Sequence, residues 1–277
     1  MALSINIKDT IVHFNQAKVM GIINATPDSF YKASRTKNMD NAITKAESML
    51  NDGADFLDIG GYSSRPGAPQ VSLQEELDRV IPVIQTISAN VDAIISIDTF
   101  RSEVAREAVN HGASLVNDIS GGEDDSNMLA TIAELDVPYI FMHKQGSIQD
   151  MQTSPHYDNV VEEVFQFLLD KKKECMNMGV VQLIADPGFG FGKSLAHNYT
   201  LLNELEKFKE LDIPLLVGIS RKSMINKILD TKAIEALNGT TFLHALCLHN
   251  GANILRVHDV KEAKQACLLW QAYADLS

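Results

Sequence analysis

Three times this chain places a polar residue and Gly-Ala just ahead of an apolar run. Asp52-Gly53-Ala54 precedes Phe56 to Ile59, His111-Gly112-Ala113 precedes Leu115-Val116, and Asn250-Gly251-Ala252 precedes Ile254-Leu255. A glycine in that place supplies the left-handed cap that ends a helix. The short apolar run after it reads as a buried strand. A chain that reuses one helix-to-strand turn is built from repeated β/α units, and such units bury a parallel sheet beneath helices.

Taken in order, the units number eight. Ile5 to Phe14 predicts a short hairpin ahead of the first of them. The strands are Val19 to Asn24, Phe56 to Ile59, Ile94 to Ile97, Leu115-Val116, Val137 to Met142, Leu183 to Ala185, Leu215 to Ile219 and Ile254-Leu255. A first helix is predicted from about Asn38, with Ile43, Ala46 and Leu50 on one face. Ser72 with Glu75 predicts a capping box for a second, carrying Leu73, Leu77, Val80, Ile84 and Ile87. A long loop to Pro155 leads to a helix from about Tyr157, and Asp259 is expected to cap the last one. No linker or composition break interrupts the 277 residues. The expectation is therefore one domain, 1–277, folded as a (β/α)8 TIM barrel with an N-terminal hairpin. A doubly wound open sheet is the alternative, and the count of eight units weighs against it.

Composition removes several function classes. A net charge of −12 argues against general binding to nucleic acid or anionic membrane. Met1 to Ser4 lead straight into an Ile-containing segment without a basic or apolar leader, and no apolar run is long enough to span a bilayer. Cys175, Cys247 and Cys267 are odd in number and far apart, which reads as reduced core thiols in a cytoplasmic protein. The histidines form no H-E-x-x-H or Cys/His cluster, so a zinc site is not expected.

In a barrel the C-terminal strand ends converge on one face, where the active site lies. Asn24, Ser64-Arg65, Asp98, Asn117, His143, Asp186, Lys222, Arg256 and His258 all fall at such ends. Any one of them is explained by solvation; a whole ring of them is expected to be a site. The stretch Leu183-Ile184-Ala185-Asp186-Pro187-Gly188-Phe189-Gly190-Phe191-Gly192-Lys193 is the most marked. A carboxylate where a strand leaves the core needs a partner or water, and the glycines let backbone approach a bound molecule. Asp98, Asn117 and Asp186 offer acceptors and an amide to a flat, nitrogen-rich ring with N–H donors. Arg65, Arg256 and His258 offer cationic donors to a polyanion such as a pyrophosphate. Asn24 is a neutral oxygen ligand of the kind that suffices for a Mg²⁺ held mainly by phosphates. Two other motifs fail. Gly192-Lys193-Ser194 lacks the earlier glycine of a phosphate-binding P-loop, because Pro187 stands there, and Lys193 occupies the place of the third glycine of a dinucleotide fingerprint.

These residues resemble the dihydropteroate synthase family from about Met20 to His258. The motifs occur in order: Asn24-Ala25-Thr26-Pro27-Asp28-Ser29-Phe30, Asp58-Ile59-Gly60-Gly61, Ser64-Arg65-Pro66-Gly67, Ser96-Ile97-Asp98-Thr99, Asn117-Asp118, Asp186 to Lys193, Ser220-Arg221-Lys222-Ser223 and Arg256-Val257-His258-Asp259. The resemblance implies a transferase of folate biosynthesis. It would join 4-aminobenzoate to 6-hydroxymethyl-7,8-dihydropterin diphosphate, yielding 7,8-dihydropteroate and pyrophosphate, in an enzyme that sulfonamides target. It implies that Asp98, Asn117, Asp186 and Lys222 hold the pterin, that Asn24 binds Mg²⁺, and that Arg65, Arg256 and His258 hold the diphosphate. It further implies that Ser64, Phe191 and Ser223 line the aminobenzoate pocket, and that Thr26 to Phe30 belong to a loop closing over the reacting centre. Lys222, Arg65, Arg256 and His258 are then the catalytic set.

The chain departs from the family at Tyr62, at Tyr31 to Arg35, at Lys144, and in having Ser64 for Thr. Gly60 and Gly61 have a plainer reading as a tight turn, His143 as a satisfied histidine, and Arg221 as a structural ion-pair partner. Apolar Leu243, Leu246, Leu248, Leu269 and Trp270 on the last two helices exceed what a barrel needs, which with the family predicts a homodimer. Two rivals stay open. A pterin-binding methyltransferase would share the Asp/Asn ring but would not need the anion ligands, and a non-catalytic pterin-binding protein would be free to lose Lys222.

Overall fold

The computed structural model describes residues 3–8, 10–25, 35–62, 70–147, 150–151 and 153–276. Strands β1 (Ser4–Ile7) and β2 (Thr10–His13) pair antiparallel as the expected hairpin. Eight parallel strands follow: β3 (Lys18–Asn24), β4 (Phe56–Gly60), β5 (Ile95–Asp98), β6 (Leu115–Asp118), β7 (Tyr139–Met142), β8 (Leu183–Asp186), β9 (Leu216–Val217) and β10 (Ile254–Val257). Their spatial order is β8-β7-β6-β5-β4-β3-β10-β9, and a single bridge, Ala185 to Leu215, brings the two ends together. The result is a nearly closed TIM barrel.

The helices around it are α1 (Arg35–Asn51), α2 (Leu73–Asn90), α3 (Ser102–Asn110), α4 (Met128–Leu135), α5 (Val160–Asn177), α6 (Leu195–Asn203), α7 (Ser223–Leu229), α8 (Leu237–His249) and α9 (Val260–Ala274). The three Gly-Ala turns are as expected: Gly53, Gly112 and Gly251 have φ of 100°, 121° and 103°. The amide of the alanine after each donates to a carbonyl five residues back in the helix. Gly179 (φ 88°) builds a fourth such turn with Val180 in place of alanine.

Several bounds differ from the sequence reading. The run Leu215 to Ile219 shrinks to Leu216–Val217; at its start the Leu215 amide is taken by the Asn253 side chain at 2.8 Å, and Leu215 makes only an isolated bridge to Ala185. The helix expected from Tyr157 starts at Val160, because the Asn159 side chain accepts from the amides of Val161 and Glu162. The last strand extends through Val257, which puts Arg256 on the strand itself. Ser72 and Glu75 form their capping box. Asp259 occupies the cap position of α9 without capping it, because both its oxygens are taken by Arg221.

Strand side chains alternate between two faces. Leu57, Ile59, Val116, Phe141, Ala185, Val217 and Leu255 point outward into one core with the helices. Met20, Phe56, Leu115, Ile140, Ile184, Leu216 and Ile254 point inward, and hairpin residues Ile5, Ile7, Val12 and Phe14 close the bottom of the barrel against them. Among the described residues the floor is apolar and plugged, which leaves the opposite end of the barrel for ligands.

Candidate functional site

Two residues beyond four of these inward apolar side chains, the same face of the strand carries a polar group at the mouth. From Phe56 this step reaches Asp58, from Leu115 Asn117, from Ile184 Asp186, and from Ile254 Arg256. Asp58, Asn117 and Asp186 are buried, and Arg256 is half-buried. One step higher on their strands stand Asn24 and Asp98, both half-buried. The period of two that fills the floor with hydrocarbon thus lines the mouth with polar groups.

Arg256 is the hub. Its Nε donates to Asp58 Oδ2 at 2.6 Å and its Nη2 to Asp98 Oδ2 at 2.5 Å. Asp58 Oδ2 also accepts from Asn117 Nδ2 at 3.0 Å. The paired carboxylates outweigh the burial of the guanidinium and raise its pKa further. Asp98 is pushed up to about 7, chiefly by burial and also by the charge of Asp58, against the pull of Arg256. Gly60 and Gly218 keep this space open. A Cβ on Gly218 would come within 3.9 Å of both Arg256 Cβ and Lys222 Nζ, and one on Gly60 within 3.5 Å of Asp98 Oδ2.

The glycine-rich loop after β8 forms the opposite wall. Gly188, Gly190 and Gly192 have φ of 71°, 80° and 63°, which L side chains rarely adopt. A Cβ on Gly188 would lie 1.9 Å from the His143 carbonyl oxygen, so the loop touches the end of β7. Asp186 Oδ1 accepts from the Gly188 amide at 2.7 Å, and burial raises the carboxyl's pKa. Lys222, half-buried, donates to the Phe189 carbonyl at 2.5 Å, and its Nζ lies 4.6 Å from the Phe191 ring centroid. Burial lowers Lys222 to about 8, opposed by Asp186 and Asp98.

Lys193 is not among the site residues expected from sequence, yet it is 3% exposed and holds the same loop. Its ammonium lies 2.9 Å from His143 Nδ1 and donates to the Phe191 carbonyl at 3.0 Å. The two lysines therefore hold the Phe189 and Phe191 carbonyls, one each. A lysine after glycines reads first as a phosphate ligand, and the incomplete P-loop pattern around Lys193 masks this other role. Asp58 is a second site residue that sequence reasoning missed, and its signal is the period-two step from Phe56. His143, buried and pulled down to about 2 by burial and by Lys193, is neutral, in line with its reading as a satisfied histidine.

Arg221 pairs with Asp259 through Nε–Oδ2 (2.8 Å) and Nη2–Oδ1 (2.7 Å), the structural role expected of it. Lys144 pairs with Asp124 at 2.9 Å, and Tyr62 packs edge-on against Phe100 at 5.3 Å. Gly60 ends β4 and Gly61 opens the bend after it, both without positive φ, and a Cβ on Gly61 would strike Val80 at 2.7 Å, so close packing calls for glycine there. His258 is exposed, with Nδ1 3.1 Å from Ser220 Oγ, and reaches a cavity of about 430 Å³ that Lys45 and Ser48 also line. Ser223 is exposed at the start of α7. Ser64, Arg65 and the segment Thr26 to Phe30 lie outside the described residues. Among the described residues no group of three His, Cys, Asp or Glu could hold a metal ion, and no helix is long and apolar enough to cross a membrane.

Comparison with known proteins gives a consistent picture. The pterin binding enzyme family matches residues 20–258. Dihydropteroate synthase of Haemophilus influenzae is 43% identical over 260 residues, covering 93% of this chain and 94% of its own. The crystal structure of Yersinia pestis dihydropteroate synthase with a sulfonamide drug complex superposes with a TM-score of 0.93 at 39% identity, over 99% of this chain and 100% of that one. Xanthomonas albilineans dihydropteroate synthase with 4-aminobenzoic acid gives a TM-score of 0.91 at 39% identity, over 99% of each chain.

Proposed function

This chain belongs to the dihydropteroate synthases, transferases of the pterin-binding enzyme family, and from that membership we propose how its barrel mouth carries out the condensation. One observation carries the proposal. Acceptors (Asp98, Asn117, Asp186) and the cations Lys222 and Arg256 converge at one end of the barrel, beside a wall bearing Phe191, and His258 follows the end of β10 there. A substrate that is a donor-rich ring at one end and a diphosphate at the other matches both sets.

In this reading Asp98, Asn117, Asp186 and Lys222 hold the pterin, while Arg65, Arg256 and His258 hold the diphosphate. Ser64, Phe191 and Ser223 line the 4-aminobenzoate pocket. Asn24 suits Mg²⁺ by its donor chemistry: a single neutral oxygen is enough where phosphates and water complete the shell. When bound, Mg²⁺ would add charge neutralisation at the phosphates. The pterin methylene C–O bond breaks with its electron pair going to the diphosphate, whose growing charge Arg256 and His258 stabilise. The neutral arylamine nitrogen forms the new C–N bond and releases its proton to solvent or to pyrophosphate. No activated serine or cysteine is needed, because positioning and leaving-group stabilisation suffice.

The working unit is the whole chain, 1–277. Three free, buried thiols support a cytoplasmic setting. Exposed Leu246 on α8 and Leu269 on α9, joined by Phe242 and Leu268, support a homodimer; Leu243 and Leu248 are buried in the core instead. A monomeric mass in sedimentation would refute the dimer. The Yersinia relative was solved with a sulfonamide drug complex, and the same class of inhibitor is expected to bind here.

The test is pyrophosphate release from the pterin diphosphate with Mg²⁺, with and without 4-aminobenzoate. Release that depends on the arylamine and forms dihydropteroate supports the synthase. Pterin binding without turnover would favour a binding protein instead.

A further inference from the structure

We propose that Asp58 is a positioning residue that sets which end of the Asn117 amide faces the mouth and anchors Arg256 there, so that the site selects a ring presenting N–H donors. The inference rests on the pterin reading of the mouth and adds to it a residue that touches no substrate.

Asp58 is fully buried on β4, one inward step above Phe56. Its Oδ2 accepts from two side chains, Asn117 Nδ2 at 3.0 Å and Arg256 Nε at 2.6 Å. A terminal amide has a donor end and an acceptor end, and a half-turn exchanges them. An ionised carboxylate can only accept, so Asp58 requires the NH₂ end of Asn117. The flipped amide would set oxygen against oxygen. Asn117 Oδ1 is then the end left for a ligand, and with Asp98 and Asp186 it completes a set of three acceptors. Arg256 is held at Nε by the same oxygen, so a ligand that claims Asp98 leaves the guanidinium still anchored.

Fold stability does not account for this residue. Asp58 Oδ1 is buried with no hydrogen-bond partner among the described residues. Buried polar groups left unpaired are destabilising, and apolar replacements of buried ion pairs are often neutral or better. What the carboxylate provides is orientation.

The experiment is a double-variant cycle on the full chain. Binding of 6-hydroxymethylpterin and of pyrophosphate is titrated for wild type, Asp58→Leu, Asn117→Leu, the double variant and Asp58→Asn, with folding checked by circular dichroism. Each leucine variant should weaken pterin binding about tenfold or more, the scale of a charged hydrogen bond lost. Because Asp58 acts on pterin through Asn117, the double variant should bind pterin about as weakly as Asn117→Leu alone. Asp58→Leu should weaken pyrophosphate binding as well, through Arg256, and Asn117→Leu should not. In Asp58→Asn the amide oxygen can take the place of Oδ2 and accept from both donors, so pterin affinity should stay well above that of Asp58→Leu. A general structural role predicts losses that add. Where a leucine variant does not fold, the alanine variant is measured in its place. Wild-type pterin affinity in Asp58→Leu, or additive losses in the double variant, overturns the inference and leaves the functional reading intact. Failure of wild type itself to bind pterin overturns the functional reading instead.

Discussion

The ammonium of Lys193 lies 2.9 Å from Nδ1 of His143, with both side chains out of solvent. The imidazole is neutral, so Nδ1 accepts and the ring proton sits on Nε2. The same ammonium donates to the Phe191 carbonyl, which ties the end of β7 to the wall that carries Phe191. Burial lowers Lys193 from its ordinary 10.5 to about 7, with Asp186 opposing.

That shift has a sign. Between about pH 7 and 10.5 the unfolded chain keeps a proton on Lys193 that the folded protein has released. Stability rises with pH wherever the unfolded state binds more protons, so this residue's destabilisation is full below pH 7 and fades above it. Lys193→Met should make the rise of unfolding free energy from pH 7 to 10 shallower, by up to about 1.4 kcal/mol per pH unit. Urea unfolding of both proteins at three pH values measures it; equal slopes would mean Lys193 stays charged throughout.

Arg256→Met removes the shared partner of Asp58 and Asp98. Breaking a buried ion pair from one side leaves its charge uncompensated, at a cost of about 3 kcal/mol. The urea midpoint should fall accordingly. Arg256→Ala should also slow pyrophosphate release by at least the roughly 1.5–3 kcal/mol of a charged hydrogen bond. Unchanged turnover would remove Arg256 from its proposed role.

Arg221→Lys keeps the charge and loses the fork that grips Asp259 through two parallel bonds. Arg221 precedes Lys222 and sits at φ 58°, so loosening it frees the turn that aims Lys222. A stability loss of about 1 kcal/mol is expected from the lost hydrogen bonding, with a larger proportional fall in turnover. A variant that melts lower with unaltered turnover would separate the ion pair from Lys222.

Gly188→Ala meets two obstacles at once. Its φ of 71° strains any L side chain, and its Cβ would lie 1.9 Å from the His143 carbonyl oxygen. Strain of this kind costs on the order of 1–3 kcal/mol before the clash is relieved. Gly190→Ala shares the positive φ but meets only the flexible Lys222 side chain, at 3.3 Å, and should lose less. Thermal unfolding of the pair ranks them, and the reverse order would contradict the packing.

Much of this molecule was legible in its residues. The Gly-Ala turns at Gly53, Gly112 and Gly251 announced the β/α repeat because a left-handed cap is a local demand that few residues but glycine meet. The capping box at Ser72 and Glu75 is local in the same sense. Local chemistry also placed Asp98, Asn117, Asp186, Lys222 and Arg256 at strand ends, and the eight-unit count brought those ends together. What tertiary structure alone decided is who holds whom. Asp259 looked like a helix cap until the fold offered it a guanidinium from 38 residues away. Lys193 looked like part of a broken phosphate motif until its ammonium met His143, 50 residues back along the chain. Asp58 and Arg256 are 198 residues apart, and only closure of the barrel makes them partners. Hydrogen bonds and ion pairs act over a few ångströms. Sequence sets which groups are available to make them, and the packing of distant strands sets which pairs come within reach.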